Sequence, residues 1–79
     1  MDATQTETQI RQIMAEMLDV DPEVITTAFG RDDAPLWDSL NHLRLVSALE
    51  EAFGIKMTMQ EVSEMVTFEQ IRSVINRYR

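Results

Sequence analysis

The sequence predicts an all-α fold: a small four-helix bundle with three longer helices, a short third helix and a long loop between helices one and two. Apolar residues recur at helical spacing along most of the chain. No stretch shows the alternation of a half-buried strand, and residues able to cap helices precede the apolar runs. At 79 residues the chain has room for one domain, which we expect to span residues 1–79.

The first helix is predicted by two overlapping capping-box patterns, Thr4-x-x-Glu7 and Thr6-x-x-Gln9. Pro22 is expected to stop the helix nearby, because the residue before a proline is steered away from helical angles. Between these signals the chain carries one apolar stripe, formed by Ile10, Ile13, Met14, Met17 and Leu18.

A long connection follows, from residue 21 to residue 37, and it is unusually long for so small a domain. It contains the apolar residues Val24, Ile25 and Phe29, so parts of it are expected to pack down on the helices. Gly30 and the polar run after it indicate turns.

The second helix is predicted from Asp38 to about Phe53, with Gly54 in the position of a left-handed residue that ends a helix. Leu40 and Leu43 are expected to point inward and hold the start of the helix against the core. They belong to a main apolar stripe at helical spacing, Leu40, Leu43, Val46, Leu49 and Phe53.

Two further capping patterns predict the remaining helices. Thr58-x-x-Glu61 opens the short third helix, and Thr67-x-x-Gln70 opens the last one. The apolar side of the last helix is Phe68, Ile71, Val74, Ile75 and Tyr78.

Composition excludes several classes of function. The net charge of −7 disfavours nucleic acid and anionic membranes as partners and suits basic patches on other proteins. The chain has no cysteine, which excludes a disulfide framework and fits a cytoplasmic protein. No stretch approaches transmembrane length, and the polar, acidic start is unlike a secretory signal peptide. The acidic pairs in the loops lack the spacing of a calcium loop, so we expect no metal site.

The most informative residues lie where the polar loop turns into the second helix. Asp38 is a good N-cap, because its carboxylate can accept a hydrogen bond from a first-turn N–H group. Ser39 then falls at the first helical position, beside unpaired amide donors and the positive end of the helix dipole. A phosphate ester on Ser39 would meet both of these features.

A longer pattern opens and closes this helix: Asp38-Ser39-Leu40, Leu43, Leu45-Val46, Leu49-Glu50-Glu51 and Phe53-Gly54-Ile55. Over nearly the whole chain, the sequence resembles the acyl carrier protein family. The resemblance implies that Ser39 carries a covalent 4′-phosphopantetheine arm, derived from coenzyme A, whose thiol holds acyl or aminoacyl groups as thioesters. It also implies that Asp38 supports the modifying enzyme and that Leu40 contacts partner enzymes.

The partners implied are a phosphopantetheinyl transferase, a loading ligase or acyltransferase, and downstream transferases, with the carrier itself a monomer and not an enzyme. We expect partners to dock on the second helix and its entrance, at Trp37, Asn41, Leu43, Arg44, Glu50 and Glu51. The more ordinary expectation for Trp37 is a lid that packs on Leu36 or Ile55.

One departure from the resembling family concerns its pathway. Fatty-acid members have acidic residues shortly after the serine, whereas Asn41, His42 and Arg44 stand there in this chain. A dedicated pathway is therefore favoured, such as polyketide, peptide, modified-lipid or surface-saccharide acylation. A housekeeping carrier of fatty-acid synthesis and an unmodified helical interaction module are the alternatives.

A Ser/His/Asp hydrolase is a third alternative, since His42 follows Ser39 and Asp38 at helical-neighbour spacing. It is disfavoured because three residues within one helical turn leave little material for a pocket, and helical neighbours project in parallel. We expect His42 at the surface, beside the arm or stacked near Trp37.

Overall fold

The computed structural model describes residues 3–78, with side chains from residue 5 onward. Over that range the chain forms four α-helices and two 3₁₀ turns, and a single isolated bridge between Gly30 and Thr67 is the only β-type pairing. The helices are α1 (Ala3–Leu18), α2 (Ser39–Phe53), α3 (Met59–Glu64) and α4 (Phe68–Arg77). The predicted all-α bundle with a short third helix is confirmed. The polar chain start at Met1 and Asp2 lies outside the described residues.

The core lies where α1 packs against both α2 and α4. Each of these three helices contributes large apolar side chains that are fully buried, as the helical spacing predicts. They include Ile10, Met14 and Leu18 from α1, Leu45 and Leu49 from α2, and Phe68, Ile71 and Ile75 from α4.

The predicted start of α1 is wrong. The helix already includes residue 3, so Thr4 and Thr6 lie inside it and neither is its N-cap. The side chain of Thr6 is 3% exposed and packs into the bundle instead. Burial of the amphipathic face has therefore extended the helix past both capping patterns, as tertiary packing commonly does to weak local signals.

The two long helices before the loops end in the same way. Asp19 (φ 54°) and Gly54 (φ 64°) are both left-handed, and the next N–H returns to a carbonyl five residues back at 3.1 Å (Val20 to Ala15, Ile55 to Glu50). The ending at Gly54 is as predicted. The end of α1 is also where the sequence places it, but Asp19 makes the turn, before Pro22 is reached.

The long connection is pinned down rather than loose. Ile25 and Phe29 are buried, so the prediction that parts of the connection pack down is confirmed, whereas Val24 is 52% exposed on its 3₁₀ turn. Two main-chain hydrogen bonds of 2.9 Å attach the loop to the α3–α4 junction, Arg31 N–H to Val66 O and Phe68 N–H to Phe29 O. The loop that carries the chain into α2 is therefore part of the packed domain.

The caps predicted for α3 and α4 are confirmed. Thr58 accepts from the Glu61 N–H at 3.1 Å and its own N–H donates to the Glu61 carboxylate at 2.9 Å, which completes a capping box. Thr67 accepts from the Gln70 N–H at 3.1 Å.

Candidate functional site

Asp38 and Ser39 form an exposed corner at the start of α2. Asp38 is extended (φ −98°, ψ −176°), and its Oδ1 accepts from the Asn41 N–H at 2.8 Å, so the predicted N-cap is confirmed. Ser39 is the first residue of the helix and is exposed. The Ser39 and Leu40 N–H groups belong to the first turn, where the helix itself offers no acceptor. The corner thus presents a hydroxyl beside free donors and the positive end of the dipole.

Trp37, the residue before this corner, is fixed by three hydrogen bonds. Its N–H donates to Ala34 O at 3.0 Å, its carbonyl accepts from Arg31 Nε at 3.0 Å, and its indole Nε1–H donates to His42 Nδ1 at 2.9 Å. The indole is stacked near Phe29, with ring centroids 6.3 Å apart. Since Trp37 is only 3% exposed, the expectation that partners dock on its side chain is wrong.

His42 is buried at 7% exposure, so the expected surface position is wrong, although the expected stacking near Trp37 is found at 6.1 Å. An indole N–H is only a donor, so Nδ1 must be the unprotonated nitrogen. Nε2 then carries the proton and donates to the Val62 carbonyl at 2.8 Å. With both nitrogens engaged elsewhere, this ring is not placed to take a proton from Ser39, which removes the geometric basis of the hydrolase alternative.

The two faces of α2 differ from the predicted stripe. The buried inner face is His42, Leu45, Val46 and Leu49. Leu40 and Leu43, expected to point inward, are 59% and 58% exposed. Helical spacing explains the error: two apolar stripes run along this helix, and the one that includes Leu40 and Leu43 continues into Arg44, Ser47 and Glu51, which must stay in water.

This outer face lines an open groove of about 560 Å³ that runs beside α1. Its lining is largely apolar, with Arg44 near the Ser39 end and Glu51 two turns further on. Neither charged side chain has an ion-pair partner within the described part of the chain. The lining residues are Met17, Leu40, Leu43, Arg44, Ser47, Ala48 and Glu51.

Two other residues expected at a docking surface have contacts within the domain. Asn41 Nδ2 donates to Leu36 O at 2.7 Å and so helps to hold the loop before the corner. Glu50 Oε2 accepts from the Met57 N–H at 2.9 Å and holds the loop between α2 and α3. The carboxylate of Glu50 is therefore committed to an internal bond, which leaves Glu51 as the acid on the outer face.

Sequence reasoning missed the contribution of Arg31 to the site. Its guanidinium holds the Trp37 carbonyl, six residues along the chain, and no short motif marks such a contact. The burial of His42 had a signal, because it lies three, four and seven residues before Leu45, Val46 and Leu49.

No cluster of three or more His, Asp or Glu side chains among the described residues is arranged to hold a metal ion. None of the helices in residues 3–78 combines the length and apolar character needed to span a membrane.

No protein-family model matches the sequence. Curated relatives do match it over most of its length. An acyl carrier protein of Thermosynechococcus vestitus is 35% identical over 69 residues, which cover 86% of this chain and 84% of the relative. One from Syntrophobacter fumaroxidans is 35% identical over 71 residues, covering 90% and 88%. Together with the exposed serine at the start of a helix in an all-α bundle, this similarity shows that the chain belongs to the acyl carrier protein family.

Proposed function

We propose that this protein carries acyl or aminoacyl groups as thioesters on a 4′-phosphopantetheine arm esterified to Ser39. The observation that supports the proposal most is the position of Ser39, exposed at the first residue of α2 behind a bonded Asp38 cap. A phosphate there lies at the positive end of the helix dipole, next to free N–H donors. The arm, when attached, supplies the thiol, which a chain without cysteine cannot supply itself.

The protein itself holds the Ser39 hydroxyl in an accessible position and supplies no catalytic group for its modification. Ser39 Oγ forms a bond to the phosphorus on the pantetheine side of coenzyme A while the pyrophosphate P–O bond breaks and the adenine nucleotide half leaves. The base that takes the hydroxyl proton belongs to the transferase, since His42 is engaged by Trp37 and Val62. Asp38 holds the turn by capping it, and by resemblance it also supports the metal of the modifying enzyme. Partners then meet a small domain from which the arm can swing.

We place the docking surface on the groove beside this corner, with Leu40 and Leu43 as its apolar contacts. Both leucines are more than half exposed. Exposed apolar side chains are unfavourable in water, and such a surface suits partners that bind and cover it transiently. Arg44 and Glu51 give the groove opposite charges at its two ends. A partner with an acidic group near the arm and a basic group further along would complement it.

This charge pattern also supports a dedicated pathway over housekeeping fatty-acid synthesis. Arg44 stands exposed where fatty-acid carriers have acids, and Glu50 is occupied by the Met57 N–H. A strongly basic partner would therefore find one exposed acid, Glu51, and a repelling cation on this face. The protein is proposed to act in the cytoplasm with a transferase, a loading enzyme and downstream acceptors of that pathway.

The test is phosphopantetheinylation by a broad-specificity transferase with coenzyme A, read as intact mass. The wild type should gain one phosphopantetheine and Ser39→Ala none, while Ser47→Ala, which removes another exposed serine of α2, should be modified normally. Absence of the gain in the wild type would favour the unmodified interaction module.

The docking assignment has its own test, with a transferase whose docking surface is basic. Arg44→Glu should lower its KM several-fold at low ionic strength, with Arg44→Gln intermediate and kcat retained. A KM that is equal for all three proteins would remove Arg44 from the docking surface.

A further inference from the structure

The corner that bears Ser39 depends on one aromatic side chain for its position. Trp37 lies two residues before the serine, with its main chain held from both sides by Ala34 and Arg31. These bonds restrain the backbone but do not hold the indole, whose buried N–H group is destabilising unless it has an acceptor. That acceptor is His42, the fourth residue of α2.

His42 connects three parts of the molecule through one buried ring. Its Nδ1 accepts from the indole of the loop residue Trp37, and its Nε2 donates to the main-chain carbonyl of Val62 in α3. The ring itself is part of the inner face of α2. Because each nitrogen has one partner of fixed polarity, the ring has one tautomer and one orientation in this arrangement.

We propose that His42 is a positioning residue for the modification of Ser39, an inference that rests on the proposed carrier function. In its Nε2–H form it locks Trp37 and thereby holds the Asp38–Ser39 turn in the conformation that the transferase recognises. Val62 fixes the tautomer from the α3 side. His42 does not touch the reacting atoms and acts only through Trp37.

Loss of the lock has a specific kinetic consequence. Without the acceptor on residue 42 the indole N–H is buried without a partner, so the turn spends part of its time in other conformations. The apparent affinity of the transferase falls by the fraction of time in which the competent turn is present. At saturating carrier concentration the transferase is filled with the competent conformation, so KM should rise while kcat is retained. The loss of one hydrogen bond predicts a rise of about two- to tenfold.

The experiment measures KM and kcat of phosphopantetheinylation for wild type and four variants. His42→Phe and Trp37→Phe each remove one half of the hydrogen bond and should raise KM. His42→Asn places a carboxamide oxygen near the position of Nδ1 and should keep KM within about twofold of the wild type. Val74→Ala, in the buried face of α4, is the control for general destabilisation and should leave KM unchanged.

Nitrogen chemical shifts of the His42 ring and hydrogen exchange of the Trp37 indole provide readouts that need no transferase. They should show an unprotonated Nδ1 and a protected indole N–H, with protection lost in His42→Phe. A proton on Nδ1, or a KM in His42→Phe equal to that of the wild type, would overturn the inference. If His42→Phe does not fold, Trp37→Phe decides the kinetic test in the same way. A wild type that is not modified at all would instead refute the carrier function.

Discussion

The two faces of α2 both contain leucines, but those leucines are buried on one face and exposed on the other. On the inner face Leu45 and Leu49 are fully buried against the core, whereas on the outer face Leu40 and Leu43 are more than half exposed. The difference is made by their neighbours along the helix: the outer stripe continues into Arg44 and, further on, Glu51. A stripe of apolar residues at helical spacing therefore marks an amphipathic surface, and the interspersed charges decide whether it faces core or solvent.

The largest expected effect comes from truncating each face at a matched leucine. Leu49→Ala should destabilise the domain by about 2–5 kcal/mol, because it leaves a cavity in the core. Leu43→Ala should change stability by less than about 0.5 kcal/mol, since it removes mostly exposed surface. Urea unfolding followed by circular dichroism measures both.

The outer-face variant should show its effect when binding is measured instead of stability. Leu43→Ala should weaken docking to a transferase, while its urea midpoint stays that of the wild type. Equal destabilisation by the two truncations would mean that the faces are not divided as the structure shows.

The end of α2 gives a second, smaller effect. Gly54 has φ 64°, and a Cβ there would meet no residue beyond its chain neighbours, so the cost of Gly54→Ala is that of a left-handed L-residue. We expect a loss of about 1–2 kcal/mol in unfolding free energy. Gly54→Asn, which tolerates the left-handed region better, is the matched control and should lose less. A Gly54→Ala protein as stable as the wild type would show that the helix ends in another conformation.

Loss of the Asp38 cap at the start of α2 should lower the free energy of unfolding by about 1 kcal/mol. Asp38→Ala removes the acceptor for the Asn41 N–H, whereas Asp38→Asn keeps an oxygen in its place. Thermal unfolding should therefore separate the alanine variant from the wild type and leave the asparagine variant close to it. Should both lose stability equally, charge at the helix start rather than the cap bond would be the main contribution.

The smallest expected effect is the pH dependence of stability due to Glu61 and Tyr78, which contact each other, unlike Arg44 and Glu51 on the outer face. Hydrogen bonds from the Thr58 N–H and then the Tyr78 hydroxyl hold the pKa of Glu61 below its usual range, and the Glu61 carboxylate raises the pKa of Tyr78. The contribution of Glu61 to stability should be present above its usual pKa and lost as pH falls through the lowered value. That of Tyr78 should be present below the usual tyrosine pKa and lost as pH rises through the raised value.

Tyr78 is the only tyrosine, so tyrosinate absorbance titrates it alone. Glu61→Gln keeps a capping-box side chain, removes the charge and should bring the midpoint back toward the usual value. A midpoint that does not move in Glu61→Gln would show that the Glu61–Tyr78 contact does not persist in solution.

Local signals predicted much of this molecule. The caps at Asp38, Thr58 and Thr67 and the left-handed ending at Gly54 involve neighbours within a few residues, and all four are found. The start of α1 was wrong because packing overrode the local caps. The inward position of Leu40 and Leu43 was wrong because spacing alone does not choose between two stripes.

The candidate site shows the same division. Asp38 and Ser39 could be placed from sequence because a cap and a first helical residue are adjacent in the chain. The stacking of His42 near Trp37 could also be expected, because the two residues are five apart in the chain. The hydrogen bond from His42 to Val62 could not, because it depends on how α3 packs on α2, twenty residues away from His42 along the chain. Contacts of that kind are set by the tertiary fold.

The central claim, that Ser39 carries the arm, is tested most directly by mapping the modification after reaction with coenzyme A and a broad-specificity transferase. Trypsin separates the two exposed serines of α2, since peptide 32–44 contains Ser39 and peptide 45–56 contains Ser47. We expect the added phosphopantetheine on peptide 32–44 alone. Its appearance on peptide 45–56, or on neither peptide, would contradict the account.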